Sequence, residues 1–167
     1  MTSTPGTAPA AAAVRQIGQG LYWDELQIGD RLISCARTIT ETDLVSFYNL
    51  TWFTEELFTN QHDRQQMAIS ARVVPGALVF TFAEGLLVPA IQHTGLAFLN
   101  MELDIKAPTL VGDTLRVEVE VIEMRPTSKP GRGLIRTRNS VRTQRGDITL
   151  EYTPLRLLRC RAPGVAA

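Results

Sequence analysis

The sequence predicts a single α+β domain in which a curved antiparallel sheet wraps around one long central helix. The chain has 167 residues, a length at which one domain buries a core of its own. One long apolar segment, VVPGALVFTFAEGLLVPAIQ at 73–92, is typical of a helix that is buried all round. The segments after it have the composition and alternation of strands and are separated by turn residues. One apolar helix followed by consecutive strands favours a layered α+β arrangement.

Composition sets the expected domain boundaries. Residues 1–20 are rich in Ala, Thr and Pro and lack the basic start and Leu-rich stretch of a secretory signal. We therefore expect a disordered tail there. The folded domain is predicted at 21–162, and 163–167 are expected to form a short C-terminal tail.

The elements before the central helix are shorter. A strand is predicted at 31–39, RLISCARTI. Thr40 and Asp43 have nearly the spacing of a capping box, and they predict the start of a helix at about 41–50. Residues 51–73 show no clean period, so no element is assigned beyond a possible short helix in HDRQQMAISA.

Prolines mark both ends of the central helix. Pro75 suits a first helical turn because its missing N–H would have no partner there. Pro89 is expected to end or kink the helix. An exposed Pro- and Gly-rich hairpin loop is predicted at 125–133, and Pro154 suggests an edge or a bulge in the last strand. The predicted strands are 96–105, 115–124, 134–144 and 148–159.

Charge and cysteine content argue against several classes of function. Lys plus Arg and Asp plus Glu are equal at 17 each, which gives no support to nucleic-acid or membrane-surface binding. No apolar run approaches the roughly 20 residues needed to span a bilayer. Cys35 and Cys160 are expected to be reduced packing residues, which favours a cytoplasmic location. Two isolated histidines and two distant cysteines show no ligand spacing, so no metal site is predicted.

Two stretches carry a resemblance to a known family. LYWDELQIGD…RTITETDLVSFYNLT resembles the beginning of MaoC-like dehydratases and (R)-specific enoyl-CoA hydratases. AFLNMELDIKAPTLVGDTLRVEVEV resembles the strand, proline, Gly-Asp turn and strand of the same family, here with Pro108, Gly112 and Asp113. The resemblance covers roughly 21–160. It implies the hotdog fold, which is the helix-in-sheet arrangement expected above.

The resemblance also implies an acyl-thioester substrate, carried by coenzyme A or an acyl-carrier protein, and no other cofactor. In this family the thioester carbonyl lies at the N-terminus of the central helix, where free N–H groups and the helix dipole stabilise a negative oxygen. Pro75, Gly76 and Ala77 occupy this place, and Gly76 allows a close approach to the backbone. Thr81 falls where the family often has a small hydroxyl, and it either contacts substrate or bonds to the preceding helical turn.

The sequence departs from the family in the catalytic loop after the first helix. The aspartate, asparagine and histidine positions of the family correspond here to Phe53, Glu55 and Phe58, and neither phenylalanine can transfer a proton. One hypothesis is a relocated site with Glu55 as first choice for the acid or base. Trp52, Phe53 and Phe58 would line an apolar pocket that raises the pKa of the carboxylate. The further candidates for proton transfer are His62 and Glu56, and the alternative for all three is a solvated loop residue.

Two other hypotheses remain open. A hotdog thioesterase would use a carboxylate on the central helix, and Glu84 is the acidic residue there. A catalytically degenerate subunit would bind acyl-CoA and complete the site of another chain. Because the open edges of such a sheet need cover, a homodimer paired edge to edge is expected, or a hetero-oligomer with a second MaoC-like subunit.

Overall fold

A computed structural model describes residues 17–62 and 64–161. The predicted tails at 1–20 and 163–167 therefore lie largely outside the described residues. Residues 17–20 are described, and Gly20 is buried, with its N–H donating to the carbonyl of Gln92 at 2.9 Å. The chain is thus packed against the C-terminal end of the central helix from Gly20 onward.

Three α-helices are present in this part of the chain: α1 (Glu41–Thr51), α2 (Glu56–Thr59) and α3 (Gly76–Ile91). The predicted capping box of α1 is confirmed, because Asp43 N–H donates to Thr40 Oγ1 and Thr40 N–H donates to Asp43 Oδ2. Short 3-10 helices lie at Trp23–Glu25 and Arg64–Gln66, the second inside the segment for which the sequence suggested a short helix.

The sheet is antiparallel and packs against α3. Its main path runs β1, β7, β8, β10, β4, while β2 pairs with β7 and β9 lies between β8 and β5. A separate pair joins β3 to β6 beside the start of α3. The strands are β1 (Arg31–Ile33), β2 (Arg37–Thr38), β3 (Val73–Val74), β4 (Gly95–Asn100), β5 (Leu103–Ile105), β6 (Thr109–Leu110), β7 (Thr114–Pro126), β8 (Arg132–Arg142), β9 (Ile148–Tyr152) and β10 (Leu155–Arg159).

The core lies between α3 and the inner face of the sheet. Leu78, Val79, Ala83 and Leu87 lie on one face of α3 and are buried against alternating residues of β7, β8 and β9. Burial alternates along most of β7 and β8, as the period-2 pattern predicted. Each fully buried Val or Leu in this layer contributes about 1.5–3 kcal/mol to folding.

Three predicted strands are interrupted. The strand expected at 31–39 breaks into β1 and β2, because Val117 N–H donates to the Ser34 hydroxyl in place of a main-chain carbonyl. The strands expected at 96–105 and 148–159 break opposite each other: Thr153 N–H donates to the Glu102 carbonyl, and Pro154 has no N–H to offer. The hairpin loop is shorter than predicted, since β7 extends to Pro126 and β8 begins at Arg132.

The prediction that α3 is buried all round is wrong for this chain. Its second face is exposed at Ala77, Thr81, Gly85 and Val88. The helix also runs past Pro89 to Ile91 rather than ending there. Every residue of β4 is exposed, and among the described residues that strand pairs with β10 on one side only. Within the described residues, no helix is long and apolar enough to cross a membrane.

Candidate functional site at the start of the central helix

A cavity of about 380 Å³ lies beside the N-terminus of α3. Its walls come from the segment after α1, from the start of α3, from the stretch between β5 and β6, and from β9. The volume is at the lower end of the range of about 300–1,000 Å³ typical of small-molecule sites. Most of the side chains that line it are apolar, including Leu57, Ile69, Val79 and Leu150.

The first turn of α3 presents main-chain donors at this cavity. Pro75 is the buried N-cap residue and has no side-chain cap, and its carbonyl accepts from the N–H groups of Leu78 and Val79 at 2.9 and 3.2 Å. The N–H groups of Gly76 and Ala77 precede Leu78, the first N–H that donates within the helix, so they are available to a ligand. Gly76 lines the cavity, and this end of the helix favours a partial negative charge.

Gly76 also allows the Ile105 side chain to pack closely against the start of α3. A Cβ at this position would lie 2.3 Å from Cδ1 and 3.3 Å from Cγ1 of Ile105. The end of the Ile105 side chain therefore occupies space that an alanine at this position would fill unless that side chain rotated.

An aromatic cluster occupies the positions at which the sequence resemblance placed the catalytic loop. The ring centroids of Phe53 and Phe58 are 5.4 Å apart, and those of Phe47 and Phe53 are 6.1 Å apart. Phe58 is buried and lines the cavity, whereas Phe53 is 40% exposed. Trp52 ends α1 with a φ of 59°, is 85% exposed, and does not line the cavity.

The three candidate proton-transfer residues lie outside the cavity wall. Glu55, Glu56 and His62 are exposed. Glu55 is the N-cap residue of α2, and its carbonyl accepts from the N–H of Phe58 at 2.9 Å. Glu55 therefore lacks the apolar surroundings that the sequence predicted for it.

Glu84 occupies a different site. Its carboxylate accepts from the Tyr152 hydroxyl at 2.6 Å and from Arg156 Nη2 at 2.6 and 2.7 Å. Burial and the neighbouring Glu84 carboxylate raise the pKa of Tyr152, which therefore stays a neutral donor. Because this carboxylate is held by a buried arginine away from the cavity, its position gives no support to a thioesterase base.

Thr81 bonds to its own helix. Its hydroxyl donates to the carbonyl of Ala77 at 2.8 Å, and the residue is exposed outside the cavity wall. Of the alternatives that the sequence left open, the position of Thr81 agrees with a bond to the preceding turn.

Two arginines that the sequence did not single out shape the cavity wall. Arg64 donates to five main-chain carbonyls at 2.5–3.2 Å, which tie the end of α2 to the strand-like stretch before β3. Arg72 pairs with Glu41 at 2.6 Å and also donates to the Phe58 carbonyl. The hydrogen bond to Arg72 lowers the pKa of Glu41. Their only sequence signal is that Arg64 and Arg72 lie in a segment without periodicity, 51–73, whose main chain needs hydrogen bonds from side chains to be fixed.

Ionisable side chains are scarce in the cavity wall. Lys106 lines it and pairs with Asp104 at 2.8 Å, and no carboxylate or imidazole of the described residues lines it. The described residues also contain no group of three or more His, Cys, Asp or Glu side chains able to hold a metal ion.

The chain is similar in sequence to two proteins of known activity. The chain is 29% identical over 108 residues to an (R)-specific enoyl-CoA hydratase of Rhodospirillum rubrum, covering 65% of this chain and 74% of the relative. It is 24% identical over 112 residues to a 3-hydroxybutyryl-CoA dehydratase of Methylorubrum extorquens, covering 67% and 71%. No family model matches the chain.

The fold is similar to that of a solved structure. A Mycobacterium tuberculosis protein described as a double hotdog fold superposes with a TM-score of 0.70 and 21% identity, covering 92% of this chain and 48% of that one. The chain therefore has a hotdog fold, and its sequence is similar to those of an (R)-specific enoyl-CoA hydratase and a 3-hydroxybutyryl-CoA dehydratase. It spans about half of the double-hotdog protein.

Proposed function

We propose that this MaoC-like chain binds an enoyl- or 3-hydroxyacyl-thioester in the cavity at the start of α3 and interconverts the two as a hydratase or dehydratase with a non-standard site. The observation that carries the proposal is the apolar cavity with the main-chain donors of the α3 N-terminus at its edge. Such donors suit the oxygen that becomes negative when a proton leaves the α-carbon of a thioester. The named activities of the two relatives supply the reaction class.

We propose that a residue of the segment after α1 activates the water molecule. Glu55 is our first candidate, because it caps the helix whose next residues, Leu57 and Phe58, line the cavity. His62 and Glu56 are the further candidates on the same loop.

A second candidate function is acyl-CoA binding without catalysis. It is favoured by the aromatic cluster beside the cavity. It is also favoured by the composition of the cavity wall, where Lys106 lies but no carboxylate or imidazole of the described residues does. Such a chain would contribute a binding pocket to an assembly whose chemistry belongs to another subunit.

We further propose that the exposed strand β4 pairs with a second hotdog unit, a copy of this chain in a homodimer or another MaoC-like subunit. Leu96, Phe98 and Leu99 on this edge are between 41% and 52% exposed, and unpaired edges of this kind invite association. The double-hotdog structure, of which this chain covers 48%, gives a precedent for a second unit of the same fold.

One pair of assays separates the two functions. The purified chain is mixed with crotonyl-CoA, loss of enoyl absorbance is followed, and binding of the saturated butyryl-CoA is measured by calorimetry. Turnover that disappears in Glu55→Gln and persists in Glu56→Gln supports the hydratase with Glu55 in its site. Binding without turnover supports the second candidate, and absence of both refutes acyl-CoA recognition by this chain.

A further inference from the structure

Thr149 is a buried hydroxyl without a protein partner at the proposed acyl site. The residue is 1% exposed and lines the cavity beside α3. Its Oγ1 has no hydrogen-bond partner within the described part of the chain. A buried hydroxyl in this state costs about 1–3 kcal/mol of stability, so its retention at a cavity wall calls for a ligand.

A β-bulge explains how Thr149 comes to lie on the cavity side of the sheet. Val141 pairs with Leu150 and Arg142 pairs with Ile148, so Thr149 is the extra residue in the register. In a regular strand Thr149 and Leu150 would lie on opposite faces, but both are buried and both line the cavity. Bulges beside functional sites characteristically redirect one side chain in this way.

The bulge adjoins the N-terminus of α3 through a single strand. Ile105 pairs with Leu150 in the register of β5 and β9, and it is also the residue that packs on Gly76. The carbonyl of Thr149 accepts from the N–H groups of Lys106 and Ala107, so its main chain is fixed. Gly76, Ile105 and Thr149 therefore line the same cavity.

We infer that the Thr149 hydroxyl binds the oxygen on C3 of a 3-hydroxyacyl-thioester, an inference that rests on the proposed function. The thioester carbonyl only accepts hydrogen bonds, so the N–H groups of Gly76 and Ala77 suit it. A C3 hydroxyl both donates and accepts, and a threonine hydroxyl does the same. Thr149 thus distinguishes 3-hydroxyacyl from saturated acyl chains, and one configuration at C3 from the other.

The test compares dissociation constants for (R)-3-hydroxybutyryl-CoA, (S)-3-hydroxybutyryl-CoA and butyryl-CoA, measured by calorimetry on the whole chain. The wild-type chain is expected to prefer one 3-hydroxy enantiomer over butyryl-CoA by about 2- to 10-fold, the size of one neutral hydrogen bond. Thr149→Val should abolish that preference while butyryl-CoA binds as before. Thr149→Ser should retain it, because serine keeps the hydroxyl.

A matched control removes another orphan hydroxyl away from the cavity. Thr94 is also fully buried with an unpartnered Oγ1, in the turn after α3. Thr94→Val should leave the preference unchanged. Neither valine variant loses a hydrogen bond to a described residue of the protein. Their melting temperatures should therefore be at least that of the wild type and at most about 2–4 °C higher.

The failures of this inference and of the proposed function are distinguishable. A preference that survives in Thr149→Val overturns the role of Thr149 and leaves acyl-CoA binding intact. A wild-type chain that binds all three esters equally also overturns it, since no group then reads C3. Absence of binding to all three esters overturns the proposed function together with this inference.

Discussion

Replacement of Gly76 by alanine tests the α3 N-terminus as the thioester carbonyl site. The added Cβ would lie 2.3 Å from Ile105 Cδ1. Ordinary carbon contacts are about 3.5–4.0 Å, so this methyl group must move by roughly 1.2 Å or more. Ile105 is 57% exposed and Cδ1 is the end of its side chain, so rotation into solvent is available at about 0.5–1.5 kcal/mol.

The fold should therefore survive Gly76→Ala. Alanine in place of a glycine with negative φ stabilises a helix by about 0.4–1 kcal/mol, which offsets most of the rotation. We expect a free energy of unfolding within about 1 kcal/mol of the wild type, measured by urea denaturation. The ligand has no comparable freedom, because the methyl group lies beside the donors that would bind the carbonyl. Butyryl-CoA should bind about tenfold more weakly, equivalent to roughly 1.4 kcal/mol.

Gly85 provides the matched control on the same helix. A Cβ there meets nothing within 4 Å, so Gly85→Ala should stabilise the chain by about 0.5–1 kcal/mol and leave butyryl-CoA binding unchanged. If Gly76→Ala folds and binds butyryl-CoA as tightly as the wild type, the carbonyl does not lie at this helix end. The proposed binding mode is then refuted.

Three further predictions concern groups that hold the site and the sheet. Arg64→Lys should lower the free energy of unfolding by about 2 kcal/mol and weaken butyryl-CoA binding. The reason is that an ammonium group cannot reach all five carbonyls that the guanidinium contacts. Unchanged binding of butyryl-CoA would show that Arg64 does not shape the cavity. Glu84→Gln should lower the free energy of unfolding by about 2–4 kcal/mol, because it leaves the charge of Arg156 uncompensated, and it should not affect any thioester hydrolysis. Selective loss of hydrolysis in a stable Glu84→Gln variant would instead support the thioesterase hypothesis. Asp113→Asn should cost about 1–2 kcal/mol at pH 7 in a urea titration, because bonds to the Leu110 N–H, Gln144 and Arg145 weaken. Burial alone would raise the pKa of Asp113, but these partners outweigh it and lower the pKa below 3.8, so its contribution is complete above about pH 4 and is lost as the pH falls through the folded value. That acid-dependent part should vanish in Asp113→Asn, and an unchanged acid limb would contradict the assignment.

The order and type of the main elements followed from local pattern. The capping pair Thr40 and Asp43 identified the start of α1, and the alternation in 115–124 identified β7 because period-2 burial is a local property of a strand. The beginning of α3 was visible for a similar reason, since proline fixes φ before any tertiary contact forms. The turn glycine Gly112 has a φ of 93°, and its Gly-Asp sequence is a local signal of that turn.

The strand breaks and the exposed face of α3 depended on distant partners. Uninterrupted apolar composition on α3 does not reveal which stripe faces the sheet, because both stripes satisfy the same local preference. The paired breaks at Glu102 and Thr153 arise from a cross-strand hydrogen bond between residues 51 positions apart. A sequence pattern carries no record of such a register.

By itself, the sequence determined the layered α+β arrangement and the position of Gly76 at a helix start, and it predicted Phe53 and Phe58 at the positions of the family's acid and base. Only the tertiary structure decided what surrounds those residues. It placed Phe58 in the cavity wall and Glu55 at the surface, and it joined Glu84 to Arg156, 72 positions away. It also left the buried Thr149 hydroxyl without a partner among the described residues, because a bulge changes the side of the sheet that a residue faces. Burial and hydrogen bonding between distant segments are properties of the packed chain, so they become defined only when the sheet closes around the helix.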